Sequence, residues 1–299
     1  MKAKGEGLQV VGLKGRLNWG DYLNYGTLCF VALLSLAPFV YVVSISLTDP
    51  KTYIPFTFYL MPKNLSLASY KYILATNSFM NSLKSTAFIT LVGTALNLVV
   101  TFSMAYGLTK KHVPGYRLIY GMVIVTLFFS AGEIPTYLIV RSYGLLNSYW
   151  ALILTALTSA WNLVVVRSFL MNLPSSYEES AMLDGCNDLQ TFARIIIPLS
   201  APAIATFTLF FAVAHWNTYF NAMLYISDTK KWTLQLLIKQ LVIDSDGMGI
   251  GQAMTSDSAP PQETMRMAAV ILSMLPILVV YPFLQKHFAK GVMVGSIKG

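Results

Sequence analysis

Residues 171–198 read MNLPSSYEESAMLDGCNDLQTFARIIIP, a polar segment between two long uncharged stretches. Pro174 marks the start of a first short helix. Gly185 is suited to end that helix, because glycine readily adopts the left-handed conformation that closes many helices. Pro198 limits a second helix before the next apolar stretch begins. The segment therefore predicts two short helices joined by a turn, and we call residues 172–198 the elbow.

Polar residues at fixed offsets indicate where the two elbow helices begin. Ser176 followed by Glu179 fits a capping box, in which each side chain bonds the backbone N–H of the other residue. Ser175 with Glu178 offers the same arrangement one residue earlier. The residues able to cap the second helix are Asn187 and Asp188.

Three carboxylates make the elbow acidic, namely Glu178, Glu179 and Asp184. Loops on the cytosolic face of membrane proteins are usually basic. An acidic loop there favours a protein partner that offers lysine or arginine. The same residues are equally typical of a structured connector whose acids stabilise helix N-termini. The pattern alone leaves both interpretations open.

The chain around the elbow has the composition of a polytopic membrane protein. It has 299 residues, of which 55% are hydrophobic and 11% are charged, and its mean hydropathy is +0.58. Soluble domains carry about a quarter of their residues as charged side chains. The composition therefore excludes a soluble globular enzyme, and its hydrophobicity excludes a disordered chain. Two cysteines, Cys29 and Cys186, cannot form a disulfide framework.

Uncharged stretches predict an all-α membrane protein with six transmembrane helices, since a spanning helix needs about 20 apolar residues. The fourth and fifth stretches flank the elbow. The apolar stretches 52–62 and 72–83 are too short to span and are expected to be loops or interfacial pieces. The six predicted spans are 22–48, 85–109, 118–140 with Glu133 inside it, 142–166, 195–227 and 267–285.

Basic residues predict the orientation of the chain in the cytoplasmic membrane of a bacterium. The tight connection with Lys110, Lys111 and Arg117 but no acid is typical of the cytosolic side. We therefore expect both termini in the cytosol and the spans in contact with lipid. The net charge of +8 then anchors the inner face, and no basic stripe indicates nucleic-acid binding. The predicted regions are an N-terminal tail (1–21), a transmembrane domain (22–285) with an outer loop (226–264), and a C-terminal tail (286–299).

The spacing inside the elbow resembles a known signature. Glu179-Ser180-Ala181, three residues, Gly185, nine residues and Ile195-x-Ile197-Pro198 are similar to the E-A-A-x3-G-x9-I-x-L-P pattern of ABC importer permeases, with Ser180 and Ile197 as mild departures. Residues 134–138, 150–154, 215–217, 281–286 and 290–299 also resemble the maltose-type carbohydrate permeases. Among these the chain is most similar to the oligosaccharide and polysaccharide-fragment branch, which includes permeases for rhamnogalacturonan pieces and alginate. The resemblance covers most of residues 20–299 and implies the type I ABC importer permease fold, with a core over about 85–285.

The resemblance implies that the elbow couples this chain to a separate ATPase. Glu179 would pair with a basic residue of the ATPase, Ala181 would pack there and Gly185 would allow the turn. The chain has no G-x-x-x-x-G-K-[ST] loop, so it is expected not to be an enzyme and to hold no cofactor; ATP and Mg²⁺ would bind to the partners. The implied partners are two cytoplasmic ATPase subunits, a second homologous permease, an external solute-binding protein and an oligosaccharide. The implied coupling residues are Glu178, Glu179, Ala181, Asp184, Gly185, Ile195 and Pro198.

Polar and aromatic residues inside the predicted spans are candidates for a substrate path. On a continuous fifth span, Asn217 and Asn221 would share one face, and His215 and Tyr219 would share another. Amides and aromatic faces bind sugars, although membrane-interface anchoring and interhelical hydrogen bonds explain each residue singly as well. The candidates are Trp161, Asn162, His215, Trp216, Asn217, Tyr219, Asn221 and Glu133.

Glu133 is a functional candidate because an acid inside an apolar span is costly. Its neighbours Gly132 and Pro135 favour the alternative that the helix already ends there. The three histidines, His112, His215 and His287, have no metal-ligand spacing, so no metal site is expected.

Two other functions stay open from the residues alone. A stand-alone secondary transporter or channel usually shows inverted repeats or buried coupling acids, and here only Glu133 is available. A membrane-embedded enzyme would need a catalytic constellation, which the spans do not offer. An importer permease that depends on ATP accounts for the elbow best.

Overall fold

The computed structural model describes residues 19–55, 57–62, 64–243 and 260–296. These residues are almost entirely helical, and the β pairing found among them is one antiparallel bridge between Thr48 and Leu65. The helices are α1 (Trp19–Ser46), α2 (Ala68–Ala75), α3 (Asn77–Gly107), α4 (Tyr116–Phe128), α5 (Glu133–Ser142), α6 (Tyr149–Thr155), α7 (Ala160–Met171), α8 (Ser176–Leu183), α9 (Asp188–Thr191), α10 (Ile197–Leu199), α11 (Ala201–Trp216), α12 (Phe220–Tyr225), α13 (Leu234–Ile243) and α14 (Gln262–Ser296). A π-helical segment (Phe192–Ile196) joins α9 to α10, and a 3₁₀ turn (Thr229–Lys231) follows α12.

Three helices are long and apolar enough to cross a bilayer: α1, α3 and the first part of α14, Gln262–Val280. Two further candidates are bent. Helices α6 and α7 meet at 52°, and the helical run Asp188–Leu199 meets α11 at 80°. Pro198 and Pro202 flank the second bend, and each removes a backbone donor that a continuous helix would use. The all-α membrane fold predicted from composition is confirmed.

The prediction of six spanning helices needs a correction at the third span. Residues 118–140 do not form one helix: α4 ends at Phe128, and α5 begins at Glu133. Gly132 between them has a φ of +84°, outside the helical region. By length and composition the part of the chain that is described therefore offers three spans, or five if each bent pair counts as one. The predicted fifth span is also shorter, since its straight part is only α11.

Several predicted boundaries differ from the structure. The stretch 72–83, expected to be a loop or an interfacial piece, is mostly helical: it covers the end of α2 and the start of α3, which begins at Asn77 and includes Lys84. The predicted outer loop contains the 3₁₀ turn that follows α12, and it also contains α13. Helix α14 continues into the predicted C-terminal tail as far as Ser296. Most of the N-terminal tail, loop residues 244–259 and residues 297–299 lie outside the described residues.

Helix α3 is the centre of the packing. It contacts α11, α7, α13, α6 and α2, whereas α1 packs mainly on α14. At about 1.5 Å per residue, its 31 residues span roughly 46 Å. One apolar cluster surrounds Phe102 and Ala105, and two others surround Ile89 and Phe79. We call the part of the molecule around Phe102 and Ala105 the elbow end. The opposite part, near Asn77, is the far end.

Candidate functional site

The turn between α8 and α9 is built around Gly185. Gly185 has a φ of +80°, which is unfavourable for side chains with a Cβ. Its N–H donates to the carbonyl of Met182 at 3.1 Å, and the N–H of Cys186 donates to the carbonyl of Ala181 at 2.9 Å. This pair of bonds is a Schellman motif, which satisfies carbonyls that the helix end leaves free. The predicted left-handed stop at Gly185 is confirmed.

The two predicted helix caps have different outcomes. Asn187 caps α9 in a full capping box: its Oδ1 accepts from the N–H of Gln190 at 2.8 Å, and the Gln190 side chain accepts from the N–H of Asn187 at 3.0 Å. The capping box predicted at Ser176 is wrong. Helix α8 follows Ser175, which has helical backbone angles and makes no side-chain cap bond.

Lys110 holds the elbow against the end of α3. Its Nζ lies 2.6 Å from Oε2 of Glu178 and 3.7 Å from Oδ1 of Asp188. It also lies 4.6 Å from the ring centre of Tyr106. The ion pair therefore joins both elbow helices to the connection that follows α3.

The Lys110 ammonium stays protonated at neutral pH. Burial acts to lower the pKa of the Lys110 ammonium, but hydrogen bonds to Glu178 and Tyr106 outweigh it, and the pKa is raised. A lysine whose pKa is raised by folding contributes its full stabilisation at pH values below its ordinary pKa of about 10.4. That stabilisation is lost only as the pH rises through the raised pKa. The tie thus persists throughout the physiological range.

Apolar contacts complete the seat of the elbow. The ring of Phe192 stacks on that of Tyr106 with 4.9 Å between the centroids. Ala181 and Ile196 are 2% and 3% exposed, and Ile196 belongs to the apolar cluster at the elbow end. The elbow is therefore packed into the apolar cluster that α3 and α11 share.

A buried arginine locks the neighbouring connection between α3 and α4. The Nε of Arg167 on α7 donates to the carbonyl of Leu108 at 2.7 Å, and its Nη2 donates to the hydroxyl of Tyr116 at 2.6 Å. The guanidinium also lies 4.3 Å from the ring centre of Tyr120. Sequence reasoning missed both Arg167 and Lys110, because their partners lie 51 to 68 residues away along the chain.

The elbow presents apolar side chains to its surroundings. Leu183 is 89% exposed at the end of α8, and Leu189 is 74% exposed on α9. The carboxylates of Glu179 and Asp184 are exposed beside them. Large apolar side chains rimmed by charge, on a segment too polar to enter lipid, are typical of a protein-docking surface. We call Leu183, Leu189, Glu179 and Asp184 the elbow surface.

The implied coupling residues therefore divide into two groups. Glu178 and Ala181 serve the chain's own packing, the first as the partner of Lys110 and the second as a buried residue under α8. Ile195 is half-buried in the π-helical segment, and Pro198 precedes the 80° bend. The exposed carboxylates among them are Glu179 and Asp184.

His215 and Trp216 are buried at the end of α11. His215 is 2% exposed, and its Nε2 is 3.4 Å from Oδ1 of Asn97 on α3. Trp216 is 8% exposed, and its Nε1 donates to the carbonyl of Ser273 on α14 at 3.1 Å. Both side chains join α11 to neighbouring helices.

The faces predicted for the fifth span do not exist, because α11 ends at Trp216 and α12 starts at Phe220. Asn217 is exposed, and its Nδ2 donates to the carbonyl of Val213 at 2.8 Å. Tyr219 is 37% exposed, and the ammonium of Lys239 lies 4.2 Å from its ring centre. Asn221 is half-buried on the separate helix α12. The structure does not bring these residues together as one helix face.

The remaining candidates lie at helix starts. Trp161 is 66% exposed, and Asn162 is half-buried, in the first turn of α7. Glu133 is exposed as the first residue of α5, which fits the helix-end interpretation. Over the ranges that the structure describes, no three His, Cys, Asp or Glu side chains are close enough to hold a metal ion.

Known sequences resemble the chain over almost its whole length. Residues 117–294 match the family described as "Binding-protein-dependent transport system inner membrane component". The chain is 46% identical over 280 residues to the polygalacturonan/rhamnogalacturonan transport system permease protein YtcP of Bacillus subtilis (strain 168), covering 93% of this chain and 98% of that protein. It is 44% identical to the protein LplC of the same organism, covering 93% and 95%.

A solved structure shares the fold. It is a chain of a bacterial ABC transporter involved in the import of the acidic polysaccharide alginate, 30% identical to this chain. The two superpose with a TM-score of 0.85, covering 92% of this chain and 99% of that one.

Proposed function

The chain belongs to the family of binding-protein-dependent transport system inner membrane components, and from this premise we propose how its parts share the work of transport. It is a permease subunit of a sugar ABC importer with the fold of that class. We place the elbow on the cytosolic side, with both termini, and assign it to docking a separate ATPase. Two such ATPase subunits would bind ATP and Mg²⁺, and a second homologous permease would complete the path.

The observation that supports ATPase docking most directly is the elbow surface. Leu183 leaves 89% of its side chain uncovered on a helix whose other face is held by the chain itself. A rigid helix with an exposed apolar end fits a groove on a partner, and Glu179 beside it suits a basic residue in that groove. Such preorganisation limits the ordering cost of binding.

The same contacts support a path by which a movement of the ATPase would displace the spanning helices. Glu178 and Phe192 tie the elbow to Lys110 and Tyr106 at the end of α3. The π-helical segment and the bend at Ser200 lead from the elbow directly into α11. A shift of the elbow would therefore move α3 and α11 together, and these two helices make the most extensive helix–helix contact in the described part of the chain. Alternating access would follow from that rotation.

The substrate class that the relatives favour is an acidic oligosaccharide. YtcP carries polygalacturonan and rhamnogalacturonan in its name, and the solved relative belongs to an importer of alginate. We propose that this chain moves fragments of such polymers, delivered by an external solute-binding protein.

Reconstitution with and without partners tests the proposal. The chain, its second permease and its ATPase in proteoliposomes should take up trigalacturonate only when the binding protein and internal ATP are present. Leu183→Asp should reduce co-purification of the ATPase at least tenfold, because an apolar anchor is replaced by a charge. Uptake by this chain alone, without ATP, would identify a stand-alone transporter instead.

A matched variant separates docking from general damage. Leu65 is 76% exposed in the loop at the far end, so Leu65→Asp makes the same chemical change away from the elbow. Its ATPase recovery should equal that of the wild type. Equal losses in both variants would refute the assignment of the elbow surface.

A further inference from the structure

A second polar site lies at the far end of the molecule. A cavity of about 310 Å³ is lined by Asn81, Lys84, Ser85, Phe88, Tyr149 and Lys230. Small-ligand sites begin at about 300 Å³, so this one has room for a single sugar ring rather than a chain. It lies about 33 Å along α3 from Gly107, since Ser85 and Gly107 are 22 residues apart at roughly 1.5 Å each. We call it the far-end pocket.

One face of α3 supplies four of the six lining residues. Asn81, Lys84, Ser85 and Phe88 follow the i, i+3, i+4, i+7 spacing that places side chains on the same side of a helix. The face offers an ammonium, an amide, a hydroxyl and an aromatic ring within two turns. Lys84 and Phe88 are exposed at the cavity, so both are accessible to a ligand.

The opposite wall is held in place by an asparagine lock. Asn147 has a φ of +58°, and its Oδ1 accepts from the N–H of Asp228 at 3.1 Å. The ammonium of Lys231 donates to the carbonyl of Asn147 at 2.8 Å. The 3₁₀ turn that includes Lys230 is thereby fixed beside the start of α6, where Tyr149 lies.

The aromatic wall is also fixed. The hydroxyl of Tyr149 is 2.8 Å from Oγ of Ser85, and its ring lies 5.6 Å from that of Phe88. The rings offer an apolar face on which the C–H face of a sugar can rest, while the hydroxyl and amide groups bond to sugar hydroxyls.

The two ammonium groups determine the charge of the ligand. No carboxylate in the described parts of the chain forms an ion pair with Lys84 or Lys230. Two cations without partners beside aromatic rings favour an anion that also has an apolar face. A uronic acid has that combination, because its ring carries both a carboxylate and a C–H face.

We propose that the far-end pocket is a subsite for one uronate residue, at which Lys84 and Lys230 bind the sugar carboxylate as the substrate enters the permease. The inference rests on the proposed function, since it deepens the substrate class named there. The far end becomes the external side when the elbow is cytosolic, so the pocket meets substrate released by the binding protein. None of the residues named as substrate-path candidates from the sequence lines this pocket.

The test uses the complete importer in proteoliposomes with its binding protein and trigalacturonate as the probe. The double variant Lys84→Gln/Lys230→Gln should lower the initial uptake rate at least tenfold, because both charges are lost and the size of the side chains is nearly kept. The charge-preserving variant Lys84→Arg/Lys230→Arg should keep at least half of the wild-type rate. Lys71→Gln, at an exposed lysine on α2 outside the pocket, should have no effect.

The outcomes separate this inference from the proposed function. Failure of the wild-type importer to take up trigalacturonate would count against the proposed substrate class. Normal uptake by the Gln double variant, or equal loss in the Arg double variant, would overturn the uronate subsite alone. Binding of the sugar-free binding protein to the importer is measured in parallel. If the Gln variant weakens that binding tenfold, the pocket holds a carboxylate of the binding protein instead, and the inference is wrong.

Discussion

At the scale of single residues, the ion pair of Lys110 with Glu178 decides how the elbow is attached. The sequence left open whether the elbow carboxylates serve a partner or the chain's own structure, and the structure pairs Glu178 internally and leaves Glu179 exposed. The carboxylate just before the signature therefore stabilises the permease, and the first signature residue, Glu179, remains exposed.

Lys110→Met is expected to lower the stability of the purified chain by about 1–3 kcal/mol, because the half-buried Glu178 carboxylate loses its charged hydrogen-bond partner. Thermal unfolding followed by tryptophan fluorescence measures the effect. Glu179→Gln is the control, since an exposed carboxylate should change the midpoint little. An unchanged midpoint for Lys110→Met would show that the pair does not hold the elbow.

Gly93 illustrates a close approach that composition alone could not reveal. A Cβ at this position would lie 2.5 Å from Nε2 of His215, inside the contact between α3 and α11. Gly93→Ala should therefore cost about 1–3 kcal/mol of stability by overpacking. Gly107→Ala, on the same helix with nothing within 4 Å, should be neutral or slightly stabilising. Equal melting of the two variants would contradict the tight contact.

At the scale of elements, the turn at Gly185 sets the angle between α8 and α9. Gly185→Asp should cost roughly 1–2 kcal/mol locally, because an L residue is strained at a φ of +80°. We expect normal membrane insertion, assayed by fractionation, but reduced coupling of ATP hydrolysis to uptake. Gly185→Asn should be milder, since asparagine tolerates this conformation better. Wild-type coupling in Gly185→Asp would show that the turn angle is unimportant.

Local sequence predicted those elements that depend on neighbouring residues. Gly185 and Asn187 act within a few positions of themselves, so the turn and the second cap were readable, and Gly132 beside Glu133 already indicated an interrupted third span. The count of uncharged residues started the predicted second span at residue 85, whereas α3 begins at Asn77 and has Lys84 within it. The predicted faces of the fifth span failed where α11 ends before Asn217.

Tertiary contacts account for what the sequence did not predict. Lys110 with Glu178, and Arg167 with Tyr116, join residues 68 and 51 positions apart, and no periodic pattern encodes such pairs. The far-end pocket likewise combines α3 with the start of α6 and a turn after α12. Such sites require the fold, whereas the elbow signature lies in one continuous segment.

At the scale of the whole molecule, α3 connects the two ends to which we assign functions. The elbow end offers an apolar anchor with acidic neighbours, and the far end offers a cationic pocket with aromatic walls. Helix α3 and its contact with α11 lie between them. A permease that receives an acidic sugar on one side and force on the other needs this separation, because ATP and substrate approach from opposite sides of the membrane.

The position of the elbow relative to the membrane tests the central claim most directly. Leu183→Cys is made in a chain whose Cys29 and Cys186 are replaced by serine, and a membrane-impermeant maleimide is applied to intact cells and to inverted vesicles. Leu65→Cys serves as the control for the far end. The account predicts that Leu183→Cys reacts only in inverted vesicles and is protected when the ATPase is bound. Reaction in intact cells, or equal reaction with and without the ATPase, would contradict it.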